Sequence, residues 1–281
     1  MLNPIQMLRM SARRHAVWAI LLGAALGLSG CKSVQTTQGG TVGVERKQMM
    51  MVSSSQMNQA AEQSYQQVLA EARNKGELNR DSAQLARVRK VANRLIPQTA
   101  VFRADAANWK WEVNVISSKE LNAWCMPGGK IAFYSGLIEQ LEMTDAEIAA
   151  VMGHEIAHAL REHARERASR QMAVGLGVSI VGAAAGLGQG GMNLANMVSD
   201  LTLVLPNSRE HETESDRIGV EIAARAGYDP RAAITLWQKM TQKSGGEPPQ
   251  WMSTHPSHQT RIRDLEDYSA RVMPLYEKSR H

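Results

Sequence analysis

The chain has only two cysteines, Cys31 and Cys125, in 281 residues. That scarcity excludes a disulfide-stapled scaffold and a multi-thiolate zinc finger, so any metal here has to be held by histidine and carboxylate. A basic face is missing as well. The formal net charge of +5 hides an asymmetry: the first thirty residues carry Arg9, Arg13 and Arg14 and no acid, and the rest of the chain sets 29 basic against 27 acidic residues. With acids and bases interleaved, the chain lacks the clustered positive surface that phosphate binding needs, which argues against nucleic acid as a partner. No apolar run reaches the roughly 20 residues of a membrane-spanning helix, and no internal repeat is visible. What is present, 43% hydrophobic and 21% charged residues, can build a sizeable core and fits neither a disordered chain nor a coiled coil.

Residues 1–30 divide into a basic stretch ending Arg13-Arg14-His15, an apolar run from Ala16 to Leu28, and a small-residue exit, Ser29-Gly30, before Cys31. This is the pattern of a secretory signal. Leu28-Ser29-Gly30-Cys31 resembles a bacterial lipobox, in which cleavage falls before the cysteine and the cysteine is acylated. The expected mature chain therefore begins at Cys31, held by several acyl chains at about 0.8 kcal/mol per buried methylene. Lys32, not Asp, follows. By resemblance to sorting in double-membrane bacteria, that predicts an outer-membrane lipoprotein facing the periplasm. From Lys32 to about Ser55 the sequence is polar and aperiodic, which predicts a flexible tether over 31–55 and a folded domain over 56–281. Cys125 reads as a small buried residue.

Within the domain, apolar residues at helical spacing predict helices over 56–73 and 81–95, with Asp81 as a cap and Pro97 as a stop. Trp111, Val113 and Val115 alternate with Glu112 and Asn114, as in a strand with one buried face. A second strand is expected over 130–134, after the turn Pro127-Gly128-Gly129. Thr144-Asp145-Ala146-Glu147 is a capping box that predicts a helix to about Ala168. Ser208 caps a helix ended by Gly227, Asp229-Pro230 starts another closed by Ser244-Gly245-Gly246, and His255-Pro256-Ser257 precedes a last one to about Val272. The apolar segment 173–187 is too short to span a membrane and reads as a buried or site-covering hairpin. The expected class is α+β, predominantly helical, with a small sheet.

His154-Glu155-Ile156-Ala157-His158 is the strongest chemical signal. Residues four apart on a helix differ by about 40° in azimuth, so both imidazoles project from one face and can meet one zinc ion. Glu155, at the edge of that face, can take a proton from an attacking water and pass it to a leaving amine. A third ligand is needed. The metzincin positions for Gly and His hold Arg161 and Ala164, and His163, nine positions from His154, falls on the opposite side of a continuous helix, where it is expected to be solvated. The acid-rich stretch 208–216 remains. Glu212 and Asp216 are four apart and share a face, suited to one carboxylate on the metal and one bonded to a ligating histidine, whereas Glu210 and Glu214 are expected at the surface.

The helix carrying His154, Glu155 and His158, the helix from Ser208-Arg209 to Gly219 carrying Glu212 and Asp216, and the upstream Asn122-Ala123-Trp124-Cys125-Met126-Pro127-Gly128-Gly129 together resemble the gluzincin family of the CaaX prenyl protease and the mitochondrial Oma protease. Within it the likeness is to the bacterial lipoprotein branch. The resemblance covers roughly 56–272 and implies a zincin-like metallopeptidase domain with its small sheet beside the His154–His158 helix. It implies one zinc ion per chain on His154, His158 and Glu212, Glu155 as general base and acid, and Asp216 as orienter. It makes the segment from Asn122 to Tyr134, with Gly128 and Gly129, an edge strand for an extended peptide. It also turns His255 toward the metal, as an oxyanion donor or a resting-state ligand, with Arg261 beside it. Ser215 departs from the family's usual Ala. The multiple spanning helices of the integral-membrane relatives are absent, so prenyl-protein substrates do not carry over. The activity implied is zinc-dependent cleavage of unfolded or misassembled envelope proteins. The implied partners are polypeptides, the membrane through the lipid anchor, and other envelope quality-control proteases. A chaperone or assembly factor for outer-membrane proteins, and a lipoprotein whose metal is structural, remain open at this level.

Overall fold

The structure, a computed structural model, describes residues 32–184, 193–243, 250–256 and 260–279. The signal stretch, Cys31, the stop at Ser244-Gly245-Gly246, His258 and His281 lie outside the described residues. Strands β1 (Lys32–Val34) and β2 (Gln48–Met50) pair antiparallel. Helices α1 (Ser54–Asn74) and α2 (Ser82–Leu95) follow, and two 3₁₀ turns lead to β3 (Glu112–Ile116). Next come β4 (Ala123–Met126), β5 (Lys130–Tyr134) and α3 (Ser135–Gln140). Helices α4 (Asp145–Leu160) and α5 (His163–Ala184) precede α6 (Leu194–Ser199), which runs into a π-helical turn over Asp200–Val204. The chain continues with α7 (Arg209–Arg225), α8 (Ala232–Lys243), α9 (Gln250–Thr254) and α10 (Arg261–Ser279). The mostly helical α+β architecture expected from the sequence is the one observed.

Local chemistry sets the ends that matter. Asp81 accepts from the amides of Ala83 and Gln84 to start α2. Thr144 and Glu147 close the capping box of α4 from both sides, at 3.2 and 2.8 Å. Ser208 caps α7 through the His211 amide, and Gly227, at φ 75°, ends it. The three-stranded sheet has the order β3-β5-β4, with β5 parallel to β3 and antiparallel to β4. β4 packs along α4, and all four of its residues are buried. A strand buried on both faces shows no alternation, which is why period-two patterning misses it.

Three expectations are corrected. The helix predicted from Thr144 to Ala168 is two helices: it breaks at Arg161 and Glu162, where Glu162 takes φ 51°. That left-handed residue is uncommon outside glycine, and it is secured by Arg103 at 3.0 Å, by the Ser54 hydroxyl at 2.6 Å and by Arg165. The segment predicted as a tether over 31–55 is packed where it is described. Val42, Val44, Met50 and Val52 are buried, the Val42 amide donates to Glu221 at 3.0 Å, and Arg46 reaches Glu166 and Glu214 at 2.8 and 2.6 Å. Two pairs of valine and methionine at spacing two, and not the overall polarity, direct this segment. The apolar segment from Ala173 continues α5 to Ala184 and does not turn back as a hairpin there; 185–192 lie outside the described residues. No helix among the described residues is long and apolar enough to cross a membrane.

At the centre α4 crosses α7 with glycine facing glycine. A Cβ on Gly153 would come within 2.7 Å of the Gly219 carbonyl oxygen, and one on Gly219 within 2.7 Å of the His154 amide nitrogen. Both neighbours are backbone and cannot swing away. Gly153→Ala or Gly219→Ala is therefore expected to destabilise the fold by about 1–3 kcal/mol, read as a lowered midpoint of thermal unfolding; an unchanged midpoint would contradict the close crossing. Burial alone would raise the Glu166 carboxyl, but His211, Arg46 and Gln48 hold it well below its ordinary 4.5. The stabilisation from a depressed carboxylate is in force above that value and is lost as pH falls below it. Glu166→Gln should flatten the loss of stability between about pH 5 and pH 2 in denaturant titrations, and an unaltered slope would show that Glu166 does not contribute.

Candidate metal centre

His154 and His158 stand one turn apart on α4 with Glu155 between them in sequence, and all three are buried. The glycine crossing brings the first turns of α7 against them, so Glu212 and Asp216 meet the two imidazoles. Asp216 Oδ1 lies 2.8 Å from His154 Nδ1. Glu212 sets Oε1 at 3.3 Å from His158 Nε2 and Oε2 at 3.6 Å from His154 Nε2. His255, at the end of α9, adds a third imidazole, and one ligand atom each from His154, His158, Glu212 and His255 lie within 4.8 Å of one another. Arg261, buried at the start of α10, donates to Glu212 at 2.8 Å and to Asp216 at 2.7 Å, and its guanidinium stacks 3.9 Å over the Trp237 ring.

The hydrogen bonds decide which ring nitrogens are bare. Asp216 takes the Nδ1 proton of His154, leaving Nε2 turned inward. His255 Nδ1 lies 3.0 Å from both the Trp251 carbonyl, which can only accept, and the Thr254 hydroxyl, and a proton on Nδ1 toward that carbonyl leaves Nε2 bare as well. His154 Nε2 and His158 Nε2 face each other at 3.0 Å. Burial, followed by nearby positive charge, holds His158 well below the usual histidine range, and burial does the same for His255. His154 goes the other way: burial would lower it, but the bond to Asp216 and the charge of Glu212 raise it. For Asp216, burial would raise the carboxyl, and Arg261 with His154 outweighs that and lowers it. Burial pushes Glu155 up to about 7 against the pull of His154 and the Trp251 N–H.

These groups fit a divalent cation. Glu212 Oε1 is buried and has no hydrogen-bond donor, and it aims at the place where the bare nitrogens converge. Three carboxylates, Glu155, Glu212 and Asp216, face one guanidinium, Arg261, all of them buried. With the imidazoles neutral and Glu155 pushed up to about 7, between one and two negative charges are left in excess in a low-dielectric pocket, and a divalent ion offsets them. With neutral imidazole and carboxylate as the donor set, zinc suits the site better than calcium or magnesium.

Other expected residues sit less centrally. β4 is an edge strand of the sheet, but β5, also inside the expected edge segment from Asn122 to Tyr134, is its middle strand. Asn122 is buried and its carbonyl accepts from the Tyr134 amide at 3.0 Å. Gly128 and Gly129 form the turn at φ 80° and 83°, and a Cβ on Gly129 would strike the Trp111 ring at 2.6 Å. Cys125, buried and free, lines a cavity of about 30 Å³ with Glu155, His158, Thr202 and His255. His163 is buried, not solvated, because the Glu162 turn returns it to His158, with the two Nδ1 atoms 2.9 Å apart. Glu214 is buried too, bonded to His163, Arg161 and Arg46, whereas Glu210 is exposed as expected. Trp251, which no sequence motif marks, donates to Glu155 Oε1 at 2.7 Å and stacks on His255 at 4.8 Å. Its spacing of four from His255 is the signal the sequence carries.

The sequence model of peptidase family M48 matches residues 82–269. The chain is 38% identical over 161 residues to mitochondrial metalloendopeptidase OMA1 of Schizosaccharomyces pombe, 57% of this chain and 47% of that protein. It is 39% identical over 156 residues to mitochondrial metalloendopeptidase OMA1 of Arabidopsis thaliana, covering 55% and 31%. To the beta-barrel assembly-enhancing protease of Escherichia coli strain K12 it is 27% identical over 188 residues, 64% of this chain and 38% of that one. The chain thus spans less than half the length of these relatives.

Titration of the metal-free chain with zinc, followed by a competing chelator, is expected to give one tight site. Glu212→Gln should weaken it on the order of a hundredfold, whereas Glu210→Gln, with a side chain 52% exposed, should leave it unchanged. Equal affinity in both variants would remove Glu212 from the site.

Proposed function

The chain belongs to peptidase family M48, and on that footing we propose that it is a zinc-dependent endopeptidase holding one zinc ion on His154, His158 and Glu212. The observation that supports this reading most is the buried Glu155 beside a donor set whose nitrogens are bare and whose Glu212 Oε1 is orphaned. A zinc ion held by these residues would supply Lewis acidity for a scissile carbonyl and would ease the deprotonation of water near neutral pH. Glu155 does the proton work. Its Oε1 accepts from the Trp251 N–H and lies 3.4 Å from His255 Nε2, which holds the carboxylate beside the donor set, where it takes the proton from the attacking water and hands it to the leaving amine. Asp216 fixes the His154 ring, and Arg261 holds Glu212 and Asp216 in place. His255, with Nε2 bare, is arranged as a resting-state ligand; acting as an oxyanion donor would require a proton on that nitrogen. An extended polypeptide pairs along the outer edge of β4, with Asn122, Gly128 and Gly129 shaping the hairpin that presents it.

For location and substrate, the lipobox-like Leu28-Ser29-Gly30-Cys31 supports a lipid anchor on Cys31, in the lipoprotein branch of the family and in the outer membrane facing the periplasm. One bacterial relative is named a beta-barrel assembly-enhancing protease. Brought to this chain, that name supports unfolded or misassembled outer-membrane proteins as substrates and a place beside other envelope quality-control proteases. Purified protein is expected to cleave unfolded casein, and a chelator should stop it. Glu155→Gln should lose about a thousandfold or more in turnover with zinc content unchanged. Retained turnover in that variant would overturn the assignment. If it still rescued barrel assembly in cells, the domain would be an assembly factor first.

A further inference from the structure

Each imidazole of the metal group has its outer nitrogen tied to a different element: His154 to Asp216 on α7 and His255 to the Trp251 carbonyl on α9. For His158 the partner is another histidine. The left-handed turn at Glu162 starts α5 at His163 and brings its Nδ1 to 2.9 Å from His158 Nδ1. On its far side, His163 Nε2 lies 2.9 Å from Glu214 Oε2. Arg161 donates to the same carboxylate at 3.0 Å, and Arg46, from the segment between β1 and β2, at 2.6 Å. The direction of this chain is fixed by chemistry. A carboxylate held by two guanidiniums can only accept, so His163 Nε2 carries a proton; neutral His163 then accepts at Nδ1, and His158 must donate from its own Nδ1. The Ser215 hydroxyl, at 3.5 Å from His163 Nδ1, is the more distant competitor.

We propose that His163, held by Glu214, is a positioning residue of the metal site: it accepts the Nδ1 proton of His158 and so presents the His158 Nε2 lone pair to the metal. Asp216 does the same for His154 with a full negative charge. His163 does it with a neutral ring, and the charge behind it, Glu214, is shared with Arg46 and Arg161. The segment over 42–52, whose composition suggested a tether, therefore belongs to the support of His158. This inference rests on the metal-site reading above.

The test compares the full chain with His163→Leu and His163→Gln. It combines zinc affinity by chelator competition, thermal unfolding, and ¹⁵N NMR of the imidazoles in the zinc-free state. His163→Leu offers no acceptor and should weaken zinc binding about tenfold to a hundredfold. His163→Gln can accept through its side-chain carbonyl and should recover affinity to within a few-fold of wild type. In the zinc-free wild type, His158 should be protonated on Nδ1, and in His163→Leu it should become a tautomer mixture. Zinc binding in a folded His163→Leu as tight as wild type, or an equal loss in the Leu and Gln variants, would overturn the proposal. If His163→Leu does not fold, the wild-type spectrum decides, because an Nε2-protonated His158 refutes it. If the wild type bound no zinc at all, the metal-site reading would fall, and the tautomer of His158 would still decide the role of His163.

Discussion

The site depends on two helix backbones being allowed to touch. α4 and α7 are separated by about fifty residues of chain, and neither carries a complete donor set. Gly153 and Gly219 remove the two side chains that would hold the axes apart, and the resulting approach sets Glu212 and Asp216 within 2.8 to 3.6 Å of His154 and His158. A methyl group at either glycine would meet backbone of the facing helix at 2.7 Å, so the helices would have to shift where the donors meet. Packing and chemistry therefore share a single constraint, and the fold cannot relax there without loosening the donors.

From that contact the electrostatics follow. Bringing three carboxylates into a dry interior is unfavourable unless positive charge comes with them. Arg261 supplies one charge and binds two of the carboxylates. The remainder calls for a cation, and the bare nitrogens together with the orphaned Glu212 Oε1 show where it belongs. Around this centre runs a ring of groups that each fix one orientation: Asp216 and His163 for the two α4 imidazoles, Trp251 for both Glu155 and His255. A carboxylate pre-set by an indole N–H, and imidazoles held by fixed hydrogen-bond partners, suit the base and ligands of the proposed reaction, because they need no reorganisation when a substrate arrives.

Much of the centre was legible in the sequence because its signals are local. Spacing of four puts His154 with His158 and Glu212 with Asp216, and the capping box at Thr144 guarantees the helix beneath the first pair. What was not legible depends on tertiary contacts. His163 falls on the wrong side of an ideal helix, and only the φ 51° turn at Glu162, held by Arg103, Ser54 and Arg165 from elsewhere in the chain, returns it. Glu214 looks like its neighbour Glu210 in sequence, and it is Arg46, more than 160 residues upstream, that makes it a buried anion. The stretch carrying Arg46 is polar enough to read as linker, because the four residues that pack it, Val42, Val44, Met50 and Val52, are diluted among glycine, glutamine and threonine. β4 shows no period because both of its faces are covered.

The most direct test of the whole arrangement is X-ray absorption at the zinc edge of the zinc-loaded protein. Coordination by His154, His158, Glu212 and, in the resting state, His255 predicts nitrogen and oxygen scatterers at about 2.0–2.1 Å with the outer-shell pattern of two or three imidazoles. A sulfur shell at about 2.3 Å, which only a cysteine or methionine could provide, or a spectrum without imidazole scattering, would contradict it.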